Sequence, residues 1–317
     1  MLHLRIVAPP DRADRVMQIL SGSEAVVNIV RLAGAARKPD GDLIMCDVAR
    51  EEASLVIGDL KDLEIPRLGS IAVQTVDSAI SDAARAAEQA APGLPSDAVV
   101  WEEVEQRTSE TTELSFNFVA FMVLAMQIAA VGILLDQPIL IVGAMVVGPE
   151  FGPIAGLCVA LVQRRSDLAL RSLRALAVGF PTGIVLALLG VLAFRALGVS
   201  PEDFEPDSHP LTGFISNPDF FSFFVAFVAG IAGILSLTSA KSGALIGVLI
   251  SVTTIPAAAN VGVAAAYGDG HEAIGAATQL GINLLALVLA GVLTLSLQRH
   301  FYVARRRRHL SARPRRG

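Results

Sequence analysis

Gly143-Ala-Met-Val-Val-Gly-Pro-Glu-Phe-Gly-Pro-Ile-Ala-Gly156 lies inside an apolar run from about Pro138 to Val162. At 1.5 Å per helical residue that run is long enough to cross a bilayer. It nevertheless carries Pro149 and Pro153, glycines at a spacing of four (Gly148, Gly152, Gly156) and a carboxylate, Glu150, close to its middle. A proline within a helix removes a donor and clashes with the carbonyl four residues back. Pro149 is therefore expected to free the carbonyl of Met145, and Pro153 that of Pro149. In hydrocarbon a freed carbonyl costs several kcal/mol unless protein, water or an ion satisfies it. An ionised Glu150 facing lipid costs at least as much, which puts it in a protein-lined or wet interior. A broken transmembrane helix with an acid at mid-depth reads as a site.

The rest of the composition agrees with a membrane setting. A mean hydropathy of +0.59 over 317 residues is too high for a soluble chain of this length, and the apolarity is concentrated after residue 113. The net charge of -5 conceals an acidic N-terminal half and a strongly basic end. Cys46 falls in an expected soluble strand and Cys158 in an expected membrane helix, so they form no plausible pair and nothing requires an oxidising compartment. Met-Leu-His-Leu-Arg-Ile-Val at the start lacks the basic region, apolar core and cleavage site of a signal peptide, so the first domain is expected in the cytoplasm.

Residues 2–8 alternate as a half-buried strand does, and after Pro9-Pro10-Asp11 the residues Ala13, Val16, Met17 and Leu20 recur at helical spacing up to Gly22. Strand-like runs at Ala25–Leu32 and Asp42–Val48 flank a turn around Lys38-Pro39-Asp40-Gly41. A helix from about Glu51 to Leu63 and a strand at Ser70–Val76 complete the series. The order β-α-β-β-α-β over residues 1–77 predicts a ferredoxin-like domain, a fold that does not by itself give function. It contains no phosphate loop, metal spacing or nucleophile motif, and His3 reads as a plain edge residue. Residues 78–112 form a helical connector, with Ser96 a candidate cap and Val100, Trp101 and Val104 on one apolar side. Its Glu102, Glu103, Glu105 and Glu110 read either as a solvated face or as a cation-attracting vestibule.

Residues 113–298 hold six expected spans: Leu114 to Leu135, the opening stretch, Ala175 to Leu197 (kinkable at Gly179-Phe180-Pro181), Phe220 to about Leu237, Gly243 to Tyr267, and Ala273 to Leu297. The connection with Arg164, Arg165, Arg171 and Arg174, the Lys241 connection and the arginine tail over 299–317 carry the positive charge. The Asp136 turn, the acidic 198–219 loop and the Asp269 turn carry none. Lysine and arginine bias then predicts both termini on the cytoplasmic side of the inner (plasma) membrane. The tail is placed to meet anionic lipid rather than nucleic acid.

The fifth span, Gly243 to Gly262 with Pro256 near mid-depth, echoes the second. Each opens on Gly-Ala, and each follows a Gly-Ile-Leu, at 132–134 and 233–235. A true repeat of three spans makes an inverted pair of halves whose broken helices meet, as in secondary transporters; otherwise the glycines and prolines serve close helix contact. The segment Gly-Ile-Leu-Leu-Asp-Gln-Pro-Ile-Leu-Ile-Val-Gly-Ala-Met-Val-Val-Gly-Pro-Glu-Phe-Gly-Pro-Ile (132–154) resembles the first signature block of the DUF389 family of bacterial membrane proteins, also called the uncharacterised hydrophobic domain family. Gly247–Gly262 and Asn283-Leu-Leu-Ala resemble its later blocks, and the likeness spans about 113–297. Glu150 stands where that family commonly has an apolar residue, and Ile255-Pro256 where it commonly has Pro-Pro. The resemblance implies no activity.

The expected fold class is therefore α+β, a ferredoxin-like βαββαβ domain followed by an all-α six-span domain. Polar side chains within the spans (Gln127, Glu150, Thr253, Thr254, Asn260, Gln279, Asn283), with the backbone opened around Met145, Gly148, Pro149, Gly152, Pro153 and Pro256, predict a transporter or channel for an ion or small solute. An intramembrane enzyme needs a nucleophile with a base, paired acids or a metal cluster, and the spans offer none. A non-transporting sensor or scaffold is the alternative. No cofactor or metal is expected; the expected partners are the bilayer, further copies of the chain, and a small solute or cation.

Overall fold

The structure, a computed structural model, describes residues 1–76, 80–91, 93, 98–201, 211–216, 218–239 and 253–312. The chain forms two units. The first comprises Met1–Val104, Thr238–Lys241 and His300–Gly317, and the second Glu105–Leu237 and Ser242–Arg299.

The first unit runs β1 (Leu2–Ala8), α1 (Pro10–Ser21), β2 (Val26–Arg37), β3 (Asp40–Val48), α2 (Arg50–Asp62), α3 (Ile65–Leu68), β4 (Ser70–Thr75) and α4 (Asp82–Ala90). Its antiparallel sheet has the order β2-β3-β1-β4. Alternation in β1 turns Leu2, Leu4 and Ile6 to the same side as Ile44, Cys46 and Val48 of the paired β3. These meet Ala13, Val16 and Leu20 of α1 and Ala53, Val56, Ile57 and Leu60 of α2 in one core. Strand β2 continues past the expected Leu32 to Arg37, with a pairing irregularity between Leu32 and Ala36. Gly34, at φ 61°, lies in that irregularity and donates its N–H to Asp42. The candidate cap Ser96 lies outside the described residues.

The second unit is helical: most of α5 (Trp101–Thr111), then α6 (Phe116–Leu134), α7 (Pro138–Val147), α8 (Phe151–Gln163), α9 (Ser166–Ala196), α10 (Phe220–Thr238), α11 (Thr254–Tyr267) and α12 (Gly270–Ala312), whose last residues belong to the first unit. Among the described residues α6, α9, α10 and α12 are long and apolar enough to cross a membrane; α7 and α8 together make a fifth such element, bent by 51°. Their exteriors carry exposed Leu124, Leu189, Leu285 and Leu293, as contact with lipid requires. These helices mark a membrane-associated chain. The core joins α6, α7, α9 and α11. Phe118 and Met122 fill the space over Gly179, and Met126 that over Gly183, while Gly262 of α11 meets the backbone of α9 at Ile184 and Leu188.

One expectation is corrected. The basic stretch after Arg165 is helix rather than connection, because Leu168, Ser172 and Ala175 are buried at helical spacing and Asp167 pairs with Arg171. The turn itself is Arg164, at φ 60°. Pro181 lies inside α9 without ending it. Of the expected fifth span only α11 is described; its first half, residues 243–252, lies outside the described residues.

Candidate functional site

Helix α7 ends where Gly148 caps it in an extended conformation, and Pro149 has no N–H for the carbonyl of Met145. Glu150 opens α8, and the first helical bond runs from Ile154 N–H to the Glu150 carbonyl at 3.2 Å. Thr253 opens α11 in the same way, with Ala257 N–H bonded to its carbonyl at 3.2 Å. Pro153 and Pro256 therefore both occupy the third helical position. A first turn leaves that N–H idle in any case, so Pro153 costs α8 no hydrogen bond and Pro256 costs α11 none. This corrects the expected role of Pro153, and the interruption before α8 belongs to Gly148 and Pro149; the carbonyl expected to be freed by Pro256, that of Val252, lies outside the described residues.

The two helix starts touch. The Thr254 hydroxyl donates to Glu150 Oε1 at 2.6 Å, with Thr254 only 1% and Glu150 4% exposed. Glu150 Oε2 finds no hydrogen-bond partner among the described residues. Gly148 is required beside it, since a Cβ there would come within 2.4 Å of Glu150 Oε2 and 2.6 Å of the Ile255 side chain. The partial positive charge at the starts of α8 and α11 favours a carboxylate at this point. From Thr253 a second chain continues: Asn283 Nδ2 donates to the Thr253 hydroxyl at 2.9 Å, and Gln279 Nε2 to Asn283 Oδ1 at 3.4 Å.

A cavity flanks this contact on either hand. One of about 290 Å³ is lined by Asp219, Phe221, Ser222, Val225 and Ala226 at the start of α10, with Thr253, Gln279 and Asn283. Another of about 310 Å³ is lined by Gly148, Pro149, Phe151, Gly152 and Ala155 at the break, Arg107, Thr108, Glu110 and Thr111 of α5, and Ser236 and Leu237 at the end of α10. Along α10 the nearest lining residues of the two, Ala226 and Ser236, are ten residues or about 15 Å apart. Thr253 thus lines one cavity while its neighbour Thr254 holds Glu150, whose own neighbours Pro149 and Phe151 line the other.

The structure brings together Gly148, Pro149, Glu150, Thr253, Thr254 and Asn283 of the expected site residues, with Pro153 and Pro256 buried in the first turns behind them. Met145 is buried in the last turn of α7. Gly152, which also lines the second cavity, and Gly156 allow close contact: a Cβ on the first would meet Thr111 at 2.7 Å, and on the second Thr112 at 2.2 Å. Gln127 donates to the Leu186 carbonyl of α9 at 2.7 Å and is absorbed by that helix contact. Asn260 donates to Glu272 Oε1 at 3.0 Å in a separate buried contact. Glu272, which the sequence put in an outer turn, is itself buried. Its signal was the pattern Asp269-x-x-Glu272, a helix-capping arrangement in which Asp269 accepts the N–H of His271 and Glu272. Asp219 was missed for the same reason; it caps α10 through the N–H and hydroxyl of Ser222.

The acidic connector is no bare solvated face. Glu102 accepts from Ser54 and Lys61, Glu103 from Arg50, and Glu105 pairs with Arg165.

Residues 145–289 match the family described as Domain of unknown function (DUF389). An uncharacterised protein of Methanocaldococcus jannaschii is 27% identical over 198 residues, 62% of this chain. The chain spans 59% of the length of that relative. No solved structure matches it. The interruption at Gly148–Glu150, the paired threonines 253 and 254, and Asn283 all fall within residues 145–289, the part of the chain that matches the DUF389 family.

Proposed function

We propose that this protein is a multi-pass transporter or channel of the inner (plasma) membrane, moving an ion or small solute past Glu150. The observation that carries this reading is the buried contact of two helix starts, Glu150 with Thr254, between cavities at opposite ends of α10. A bundle that only anchors has no need of an interrupted helix, and irregular backbone at membrane depth is tolerated where it lines a path. The matching starts of α8 and α11, each with proline at the third position, support paired broken helices in an inverted repeat of three spans. The strand order β2-β3-β1-β4 supports a ferredoxin-like first domain, whose open sheet face with exposed Val30 and Leu32 suits pairing of copies. Six spans with both termini cytoplasmic complete the reading.

Liposomes containing the purified full chain test it. Glu150→Gln is expected to abolish pH- or cation-dependent flux, and flux unchanged in that variant rejects the assignment. The scaffold reading has one observation in its favour. Tyr302, Arg305, Arg306 and His309 of the basic tail dock on Ser54, Glu52, Asp62 and Asp59 of α2, an arrangement suited to a regulated binding domain. No flux of any ion under any condition, with a ligand found for the first unit, would favour it.

A further inference from the structure

The cavity at the start of α10 has a chemistry of its own. Its described charged lining is a single carboxylate, Asp219, exposed at the mouth, and no lysine, arginine or histidine stands among its described lining residues. Hydrogen bonds from the Ser222 N–H and then its hydroxyl hold the Asp219 carboxyl below the usual carboxylate range, so it is ionised at neutral pH. Deeper in, Gln279 is 1% exposed and its Oε1 has no partner among the described residues, while its nitrogen is turned to Asn283. Asn283 in turn uses its nitrogen on Thr253. Beyond Thr253 and Thr254 stands Glu150 Oε2, likewise without a described partner. The unsatisfied atoms along this line are oxygens that need a donor or a cation, and a buried acceptor left bare costs about 1–3 kcal/mol.

We propose that this cavity binds a small monovalent cation, an alkali-metal ion or ammonium, through the oxygens of Gln279 and Thr253 with Asp219 at its mouth. One carboxylate beside neutral amide and hydroxyl oxygens matches a single positive charge. Calcium takes six to eight oxygens with several carboxylates, magnesium keeps a strict octahedral shell rich in water, and transition metals favour histidine or cysteine. No cluster of three such residues occurs among the described ones. The helix starts do not repel the ion, because Glu150 already answers their partial positive charge. The site rests on the transport reading only for the claim that the bound ion moves on to Glu150.

The test is equilibrium binding to the purified full chain in detergent, followed by thermal unfolding in sodium, potassium or ammonium chloride against choline chloride at equal ionic strength. At least one of the three salts is expected to raise the midpoint saturably. Gln279→Leu and Asp219→Asn are each expected to weaken apparent affinity about tenfold or more, while Gln279→Glu, which keeps the oxygens, retains binding. A response equal to choline for all three salts, or wild-type affinity in a folded Gln279→Leu protein, overturns the proposal. Cation binding without flux in liposomes leaves this site standing and removes the transporter. Flux of an anion or neutral solute that depends on Glu150, without cation binding, does the reverse.

Discussion

Thr254 and Glu150 stand 104 positions apart, and no spacing rule joins them. Glu150 was legible because an acid inside an apolar run is costly unless it is housed. Thr254 was legible as a polar residue within a span, but its pairing with Glu150 was not, because two helix starts meet only in the folded chain. Replacing Thr254 with valine keeps the shape and removes the donor, leaving Glu150 Oε1 bare. A loss of about 1–3 kcal/mol is expected in detergent unfolding, and Thr254→Ser should stay close to wild type. In the first unit Asp42 makes a comparable point outside the membrane. The Gly34 N–H, then Arg31, hold its carboxyl below the ordinary 3.8 against the opposing pull of burial. A depressed carboxyl contributes stability that is complete above its unfolded value and is lost as pH falls through the folded one. Protection of the Gly34 amide against exchange, relative to its intrinsic rate, should therefore fall below about pH 4, and Asp42→Asn should flatten that acid limb. An unchanged acid limb in Asp42→Asn would remove Asp42 from the account.

Helices were easier to read than their ends. The apolar cores of α6, α10 and α12 declared themselves by length, and Gly148-Pro149 declared a break. The start of α9 did not, since four arginines outweighed the buried period of Leu168, Ser172 and Ala175 in a reading by charge. The glycine stripe had two readings, and each now has its members: Gly148 serves the site, while Gly152 and Gly156 admit Thr111 and Thr112. Gly58 in α2 does likewise for the tail, because a Cβ there would come within 2.3 Å of the Arg306 guanidinium. Gly156→Val should press on Thr112 and Ser172 and cost about 1–3 kcal/mol in thermal or chemical unfolding. Gly143→Ala is the matched control, with nothing within 4 Å of the added Cβ. It should be neutral or add up to about 1 kcal/mol through helix propensity. Equal effects of the two would separate the stripe from close contact.

At the scale of the molecule the open question is parity. α9 is 31 residues long, about 46 Å, against a hydrocarbon core of about 30 Å, so Arg171 and Arg174 can lie outside the core at one end and residues 197–201 at the other. On the proposed orientation the basic residues stay in the cytoplasm, which puts Val199 outside. From Val199 to Ser311 the chain passes α10, the segment ending in α11, and α12. Three crossings place Ser311 opposite Val199, whereas a segment that enters and leaves on the same side leaves them together. Val199 is 71% exposed and Ser311 is exposed, so cysteines at these positions can be reached by a membrane-impermeant maleimide. The native thiols compete poorly: Cys46 and Cys158 are buried, and burial pushes the Cys46 thiol up to about 12. Val199→Cys should label in intact cells and Ser311→Cys only after lysis. Labelling of both in intact cells would mean that the segment ending in α11 does not cross, and with it the inverted pair of halves would go. The opposite pattern, Ser311→Cys alone labelled from outside, would keep the halves and turn the molecule over, so that Asp219 and its cavity faced the cytoplasm.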